Sequence, residues 1–325
     1  MNMQRKIALI GFGTVGQAFY EQVRHVPGIR LSDIIVRDSH KPRRPEVVGL
    51  VSTHLDKVLD DPYTQIIVEA IDDPEAALLF ARKALMAGKT YISANKRMLA
   101  THLPAIISRL STPGARLYYE AAVGGAIPVM RLLKEYYRQE EIMSLRGIVN
   151  GSTNYILTRM HREKLSFSAA LQMATEQGYA ESDPTLDITG YDAVYKSVLL
   201  AYEAFGVIVK PEQVQRQGIA EVTSRQVALA VRENKKIKLV SSIFKEGGQI
   251  SISVKLATLA DDDPLFAIDG VMNGIVITGA RSGDIMLQGA GAGGHPTASA
   301  MIADLKKASE LRYPVFAPEE QFRFN

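Results

Sequence analysis

The stretch KIALIGFGTVGQAFY, Lys6 to Tyr20, carries Ile7 to Ile10 straight into Gly11-Phe12-Gly13-Thr14-Val15-Gly16. Val15, Phe19 and Val23 then recur at four-residue spacing, a helical pattern. A buried parallel strand, a glycine turn and a helix start together form the phosphate-binding end of a dinucleotide fold. In that reading Gly11 allows the tight turn, Gly13 lets the backbone approach a pyrophosphate, and Gly16 lets helix pack closely on strand. Thr14 and Val15 open the helix, whose free N–H groups and positive end face the phosphates. A glycine-rich turn can be only a turn, and it is the clean strand before it and the helix after it that favour nucleotide binding.

Outward from this turn, Ile34-Ile35-Val36 reads as a second strand ending at Arg37-Asp38. About 20 residues past the glycine turn, such folds choose between cofactors, an acid holding a ribose 2′-hydroxyl and an arginine accommodating a 2′-phosphate. Both signs occur here, followed by Lys41, Arg43 and Arg44. A solvated charged loop would look the same. The excess of positive charge favours NADP(H) through Arg37, with NAD(H) left open.

Thr64 to Ala70 reads as the next strand, Glu75 to Ala87 as a helix closed by Gly88, and Lys89 to Ser93 and Ala115 to Ala121 as further strands. Strands alternating with helices predict an α/β fold, a Rossmann-type doubly wound parallel sheet. Ligands lie beyond the carboxyl ends of such strands. Ile71-Asp72, Ser93 to Lys96 (with Asn95 between) and Glu120 to Gly125 fall there, so Lys96 is a site candidate rather than only a surface lysine.

After Gly124-Gly125 the pattern changes. Pro128 to Tyr137 reads as a helix, Ile142 to Val149 as a strand, and a helix follows from Tyr155. A long helix is expected from Tyr191 to about Phe205, and antiparallel strands near Lys238 to Phe244, Ile250 to Ala257 and Gly274 to Gly279. This predicts a second, α+β domain for catalysis and dimerisation. The expected division is 1–127 for the dinucleotide, 128–288 for substrate and dimerisation, and 289–325 as a segment returning to the first domain. That last segment holds a second glycine turn, Gly289 to Gly294 with Gly291 at its centre, and a helix from Thr297 to about Leu311. The turn could close over the cofactor or be an ordinary loop.

Composition narrows the function. With 325 residues there is room for about two domains. No apolar run approaches the roughly 18 residues of a membrane span. A net charge of +3 with signs interleaved gives no basis for nucleic-acid or membrane binding. The first strand follows the N-terminus at once, so no signal peptide is expected and a cytoplasmic location is the default. The absence of cysteine excludes disulfides, thiolate metal sites and every thiol nucleophile. An aldehyde here must react as the free aldehyde, so its reduction to an alcohol is feasible and a thiol-routed oxidation is not.

The densest group of ionisable residues is Glu181, Asp183, Asp187, Asp192 and Lys196. Asp192 and Lys196 stand four apart on one helical face. A surface ion pair would contribute only tenths of a kcal/mol. The apolar run Val198-Leu199-Leu200 instead suggests partial burial, where a lysine can serve as acid or base. Glu181 and Asp187 stand where they could hold a substrate ammonium.

Taken over nearly the whole chain, GFGTVG (11–16), SANKRMLA (93–100), EAAVGGAIPVM (120–130), GIVNGSTNYILTRM (147–160), AESDPTLDITGYDAVYKSVLLA (180–201) and GAGAGGHPTASAMIADL (289–305) resemble the homoserine dehydrogenase family. The resemblance implies NAD(P)-dependent, reversible hydride transfer between L-homoserine and L-aspartate 4-semialdehyde, in threonine and methionine biosynthesis. It matches Lys96 and Lys196 to two lysines flanking the reacting oxygen, Lys196 leading as acid/base with Asp192 orienting it. It matches Glu181 and Asp187, with Tyr179 and Thr153 nearby, to residues holding the substrate's amino-acid end. It further implies a homodimer and a structural monovalent cation, Na⁺ or K⁺, held through Glu120, Val123, Gly125 and Ile127. Three departures stand out. Asp72-Asp73 replaces a usual Gly-Gly beside the nicotinamide site, and His295 replaces a less polar residue. A C-terminal regulatory domain is also missing, so no threonine feedback through one is expected. Asp72-Asp73 is the motive for an alternative, a related oxidoreductase acting on another small hydroxy or oxo acid. A dinucleotide-binding sensor without turnover is a third reading, one that would need neither lysine.

Overall fold

The structure is a computed structural model and describes residues 4–309. Its first sheet contains β1 (Arg5–Ile10), β2 (Ile29–Ile35), β3 (Val51–Ser52), β4 (Thr64–Glu69), β5 (Thr90–Ser93) and β6 (Arg116–Tyr118). All pairings are parallel and the order is β3-β2-β1-β4-β5-β6. That is the Rossmann order, with the chain reversing direction of travel between β1 and β4, where a ligand crevice forms. Helices α1 (Thr14–Val23), α2 (Asp56–Leu59), α3 (Pro74–Met86) and α4 (Lys96–Ile107) connect the strands. The inner strands are continuous apolar runs because helices cover both faces; Ile7, Ala8 and Leu9 are fully buried.

The strand expected over Ala115 to Ala121 is shorter, and the reason is local. The chain leaves the sheet at Tyr119 and turns through a single 3₁₀ turn, Glu120–Ala122. There the Glu120 N–H donates to Asp304 Oδ2 at 2.8 Å rather than to a neighbouring strand. The expected helix from Pro128 to Tyr137 is also interrupted. It starts as α5 (Val129–Arg131), widens into a π-helical turn over Leu132–Tyr136 and closes as a 3₁₀ turn over Tyr137–Gln139.

The second sheet is built from β7 (Ile142–Ile148), β8 (Gln215–Arg216), β9 (Lys236–Glu246), β10 (Gln249–Leu259), β11 (Met272–Gly279) and β12 (Gly283–Ala290), in the order β12-β11-β7-β9-β10-β8. Its pairings are antiparallel except that of β8 with β10. Helices α6 (Gly151–Glu163), α7 (Phe167–Glu176), α8 (Thr185–Ile188), α9 (Tyr191–Phe205) and α10 (Ser224–Arg232) accompany it. The helix expected from Tyr155 begins four residues earlier, because the Asn150 side chain accepts the Thr153 N–H and caps it. Helix α9 runs between Gly190 and Gly206, both at positive φ, as its apolar pattern predicted.

The last described helix, α11 (Gly294–Ala308), returns to the first sheet. Its Ala298, Met301 and Leu305 are fully buried in one cluster with Ile7, Leu9, Phe19 and Val23. It starts three residues before the expected Thr297, with Pro296 in its first turn; the expected end at Leu311 lies outside the described residues. Among the described residues, no helix is long and apolar enough to cross a membrane.

Candidate active site

The glycine turn has the geometry its spacing predicts. Gly11 has φ +93°, and a Cβ there would overlap the Ala70 carbonyl and approach Ile71 Cγ2 at 2.7 Å. A Cβ on Gly16 would overlap the Gly11 carbonyl, whereas a Cβ on Gly13 would meet nothing within 4 Å. Tight turn, close helix packing and open space above Gly13 are thus divided among three glycines as expected. Helix α1 has no side-chain N-cap, so its first N–H groups face the opening. The start of α11 lies beside it: a Cβ on Gly294 would meet Thr14 Cγ2 at 3.1 Å, and α11 too lacks a side-chain cap. Gly291 is pinned from below, since a Cβ there would overlap the buried Asn273 amide. The open cradle and adjoining uncapped helix starts fit a dinucleotide's phosphates.

Arg37 and Lys41 are exposed at the end of β2. Arg43 folds back onto the carbonyls of Asp38 and Lys41 (2.7 and 2.9 Å), and Arg44 pairs with Glu21 at 2.6 Å. Asp73, suspected of altering the nicotinamide end, serves the fold instead, since its Oδ1 accepts the N–H groups of Glu75 and Ala76 and caps α3. Asp72 is exposed at the rim.

Where β4 and β5 end, four hydrogen bonds close a ring. Ile71 N–H donates to Glu69 Oε1 (2.7 Å), Asn95 Nδ2 to the Ile71 carbonyl (2.9 Å), Asn95 N–H to Ser93 Oγ (3.1 Å), and Ser93 Oγ to Glu69 Oε2 (2.6 Å). Asn95 Oδ1 also caps α4 by accepting the Met98 N–H at 2.9 Å. Lys96, the first residue of α4, is therefore anchored at its backbone and reaches outward.

Its Nζ meets Asp192 Oδ1 at 3.0 Å, across from the first sheet to α9. The other oxygen, Oδ2, receives Lys196 Nζ and Asn150 Nδ2, each at 2.8 Å. One carboxylate thus joins both lysines that the sequence singled out. Asp192 and Lys196 are each 6 % exposed, while the Lys96 side chain is 39 % exposed. Burial would push the Asp192 carboxyl up, but the charges of Lys196 and Lys96 and the Asn150 hydrogen bond hold it well below the usual carboxylate range. Lys96 is raised, chiefly by the Asp192 charge. Lys196 Nζ also donates to the Val149 carbonyl at 2.7 Å. Two of its three donors are then engaged and one remains.

Asn150 extends the network, its Nδ2 also donating to Asp187 Oδ1 at 2.7 Å. Burial, and then the charge of Asp192, raises Asp187. Glu181 is exposed at the rim, where its charge contributes to the raised Lys96. Tyr179 is 43 % exposed, with its ring 4.8 Å from that of Tyr155. Thr153 is buried, and its hydroxyl donates to Asn150 Oδ1 at 2.8 Å, bracing Asn150 rather than facing the opening. Asp183 Oδ1 accepts the N–H and the hydroxyl of Thr185 (3.1 and 2.6 Å), the first residue of α8. Asn150 and Glu69 escaped the sequence reading. An Asn-Gly pair after a strand signals a helix cap, and an acid closing the apolar run TQIIVE is a signal of its own.

At the loop after β6, both carboxylate oxygens of Glu120 accept backbone N–H groups, Oε1 from Met130 (3.0 Å) and Oε2 from Arg131 (2.8 Å). Burial, then repulsion from Asp304, pushes its carboxyl up to about 7. Each Glu120 oxygen keeps a lone pair, and a cation here would draw on Glu120 and on loop carbonyls around Val123, Gly125 and Ile127, the turn being set by positive φ at Gly124 and Gly125. Among the described residues no group of three or more acidic, histidine or cysteine side chains is placed to hold a metal ion.

The chain is similar in sequence and in fold to known proteins. Residues 128–305 match the family described as homoserine dehydrogenase, and residues 11–120 match its NAD binding domain. A homoserine dehydrogenase of Bacillus subtilis is 32% identical over 310 residues, covering 92% of this chain and 72% of that protein. The crystal structure of one from Thiobacillus denitrificans superposes with a TM-score of 0.89 at 33% identity, covering 94% of this chain and 73% of the other. A hyperthermophilic archaeal homoserine dehydrogenase in complex with NADPH gives a TM-score of 0.79 at 29% identity, over 96% and 99% of the two chains.

Proposed function

Because the chain belongs to the homoserine dehydrogenase family, an oxidoreductase family with a nicotinamide-dinucleotide domain, we propose that it interconverts L-homoserine and L-aspartate 4-semialdehyde with NADP(H). The observation that carries the site assignment is the single buried carboxylate of Asp192 bonded to Lys96 and Lys196. When bound, the nicotinamide supplies or accepts the hydride. The protein's own part is positioning and proton transfer. In the reducing direction the free N–H of the Lys196 ammonium donates a proton to the carbonyl oxygen of the semialdehyde; in the oxidising direction the neutral amine takes the hydroxyl proton back. Lys96 polarises the same oxygen, and Asp192 keeps both nitrogens facing one point. Asp187 and Glu181 hold the substrate ammonium, with Tyr179 beside them at the rim.

The NADP(H) preference rests on Arg37 and Lys41, exposed where a 2′-phosphate would lie, and on the NADPH-bound archaeal relative. NAD(H) is the alternative cofactor. We assign residues 1–127 to the cofactor, 128–288 to substrate and dimer formation, and 289–325 to the return segment, of which 310–325 lie outside the described residues. A homodimer, a cytoplasmic location, a place in threonine and methionine biosynthesis, and a monovalent cation at the Glu120–Ile127 loop follow from family membership. Asp73 is taken up in capping α3, which leaves Asp72 as the member of the pair exposed at the rim and the motive for the alternative of another small hydroxy or oxo acid.

The test is a spectrophotometric assay with homoserine and either NAD⁺ or NADP⁺, following the reduced nicotinamide. Turnover with homoserine, and a higher kcat/KM with NADP⁺, is expected. Tight cofactor binding with no homoserine turnover would defeat this reading and favour a related hydroxy or oxo acid.

A further inference from the structure

Glu69 is fully buried, touches neither lysine, and has no part in the proton chemistry above. A carboxyl in such a place is costly unless its oxygens are satisfied. Here both are, by groups from two different strand exits: the Ile71 N–H after β4 and the Ser93 hydroxyl at the end of β5. The ring is completed by Asn95, bonded to both the Ile71 carbonyl and Ser93 Oγ. The other members, Ile71, Ser93 and Asn95, stand at the carboxyl ends of β4 and β5, where such a sheet binds its dinucleotide. Ile71 abuts the glycine turn at Gly11, and Asn95 caps the helix that starts with Lys96. Glu69, as fully buried as Ser93, bridges the ends of β4 and β5 from beneath the opening.

We propose that Glu69 is a positioning residue for the nicotinamide half of the cofactor, its carboxyl locking Ile71, Ser93 and Asn95 into one rim and holding the start of α4 against it. The inference rests on the reading that these three residues contact the cofactor. An apolar residue in this place would leave the Ile71 N–H without its acceptor and let the two strand exits move independently. Glutamine keeps an acceptor for Ile71 and reverses the bond to Ser93, its Nε2 donating to Ser93 Oγ. The arrangement is also sensitive to charge: burial, reinforced by Asp72, pushes the Glu69 carboxyl up to about 7 against the opposing hydrogen bonds.

The experiment titrates wild type, Glu69→Ala and Glu69→Gln with reduced cofactor, followed by its own fluorescence, alongside Tm and the separate KM values for cofactor and homoserine. Glu69→Ala is expected to raise the cofactor Kd about tenfold, the scale on which partners one layer behind a ligand-binding group act. Its KM for cofactor should rise more than that for homoserine. Glu69→Gln should recover most of the affinity. An unchanged Kd in Glu69→Ala would overturn the proposal. So would a drop in Tm with both KM values moving together and no recovery by glutamine, since the carboxyl would then only support the fold. Should Glu69→Ala not fold, Glu69→Asp, one methylene too short to reach both the Ile71 N–H and Ser93 Oγ, takes its place: an unchanged Kd overturns the proposal, and a several-fold rise sustains it. Failure of the wild type to bind reduced cofactor would instead remove the cofactor reading.

Discussion

Asp192 carries two ammonium groups on one buried carboxylate, yet the two lysines are not equivalent. Lys196 is enclosed and spends one donor on Val149, so its position is determined by the protein. Lys96 is more exposed and held through Asp192. Lys196→Ala is therefore expected to lower kcat by about 10²–10⁴-fold, the usual contribution of a positioned acid or base, with little change in cofactor Kd. Steady-state assays with a parallel cofactor titration check this, and normal turnover would remove Lys196 from the proton step. The i,i+4 spacing of Asp192 and Lys196 made that pair legible in the sequence, and a lysine after a parallel strand marked Lys96. That both converge on one carboxylate was not legible, because it depends on how two sheets are set against each other. Glu69 was hidden for a related reason: its side-chain partner, Ser93, comes from a neighbouring strand, 24 residues along the chain.

At the scale of elements, α6 carries Asn150 at its start and is fastened at its other end by a histidine. His161 Nε2 accepts the Ile237 N–H of β9 at 3.0 Å, which requires the neutral ring. Burial, then the charges of Lys238 and Lys236, lowers its pKa to about 4. A base whose folded pKa lies below its unfolded value of about 6.5 adds stability that is complete above 6.5 and lost as pH falls toward 4. The stability difference between wild type and His161→Asn should shrink over that window in urea denaturation. A constant difference would show that protonation of His161 is not coupled to unfolding. Helix α6 also illustrates where element boundaries escape a sequence. Its apolar pattern announced a helix from Tyr155, but its start is set by a side-chain cap. Strand β12 went unrecognised since, as an edge strand, it buries little: Ile285 and Leu287 face inward only partly and Met286 faces out. Strands buried on both sides, such as β1 and β4, were found because their apolar runs are uninterrupted.

At the scale of the molecule, the two sheets are tied by more than the Lys96–Asp192 pair. Glu203, near the end of α9, accepts from the Tyr119 hydroxyl and pairs with Lys134 at 3.2 Å, and Lys134 sits 4.1 Å above the Tyr119 ring. Glu203 is almost wholly enclosed and Lys134 is 40 % exposed, so the network is only partly screened by solvent. Glu203→Ala should cost about 1–3 kcal/mol by leaving a buried hydroxyl and an ammonium without their acceptor. Chemical denaturation measures this, and a change below about 0.5 kcal/mol, the surface-substitution range, would mean the tie is energetically idle. The division into a doubly wound sheet and a second α+β unit was legible from the change of pattern near residue 128. The tail was expected to return to the first unit, and α11 clusters with residues of β1 and α1. That return has a consequence for biosynthesis. Ile7, Leu9 and Phe19 leave the ribosome long before the helix that covers them, which begins only at Gly294. A nascent chain therefore carries an uncapped apolar face throughout translation of the second unit, and the dinucleotide unit closes only after the second has been made.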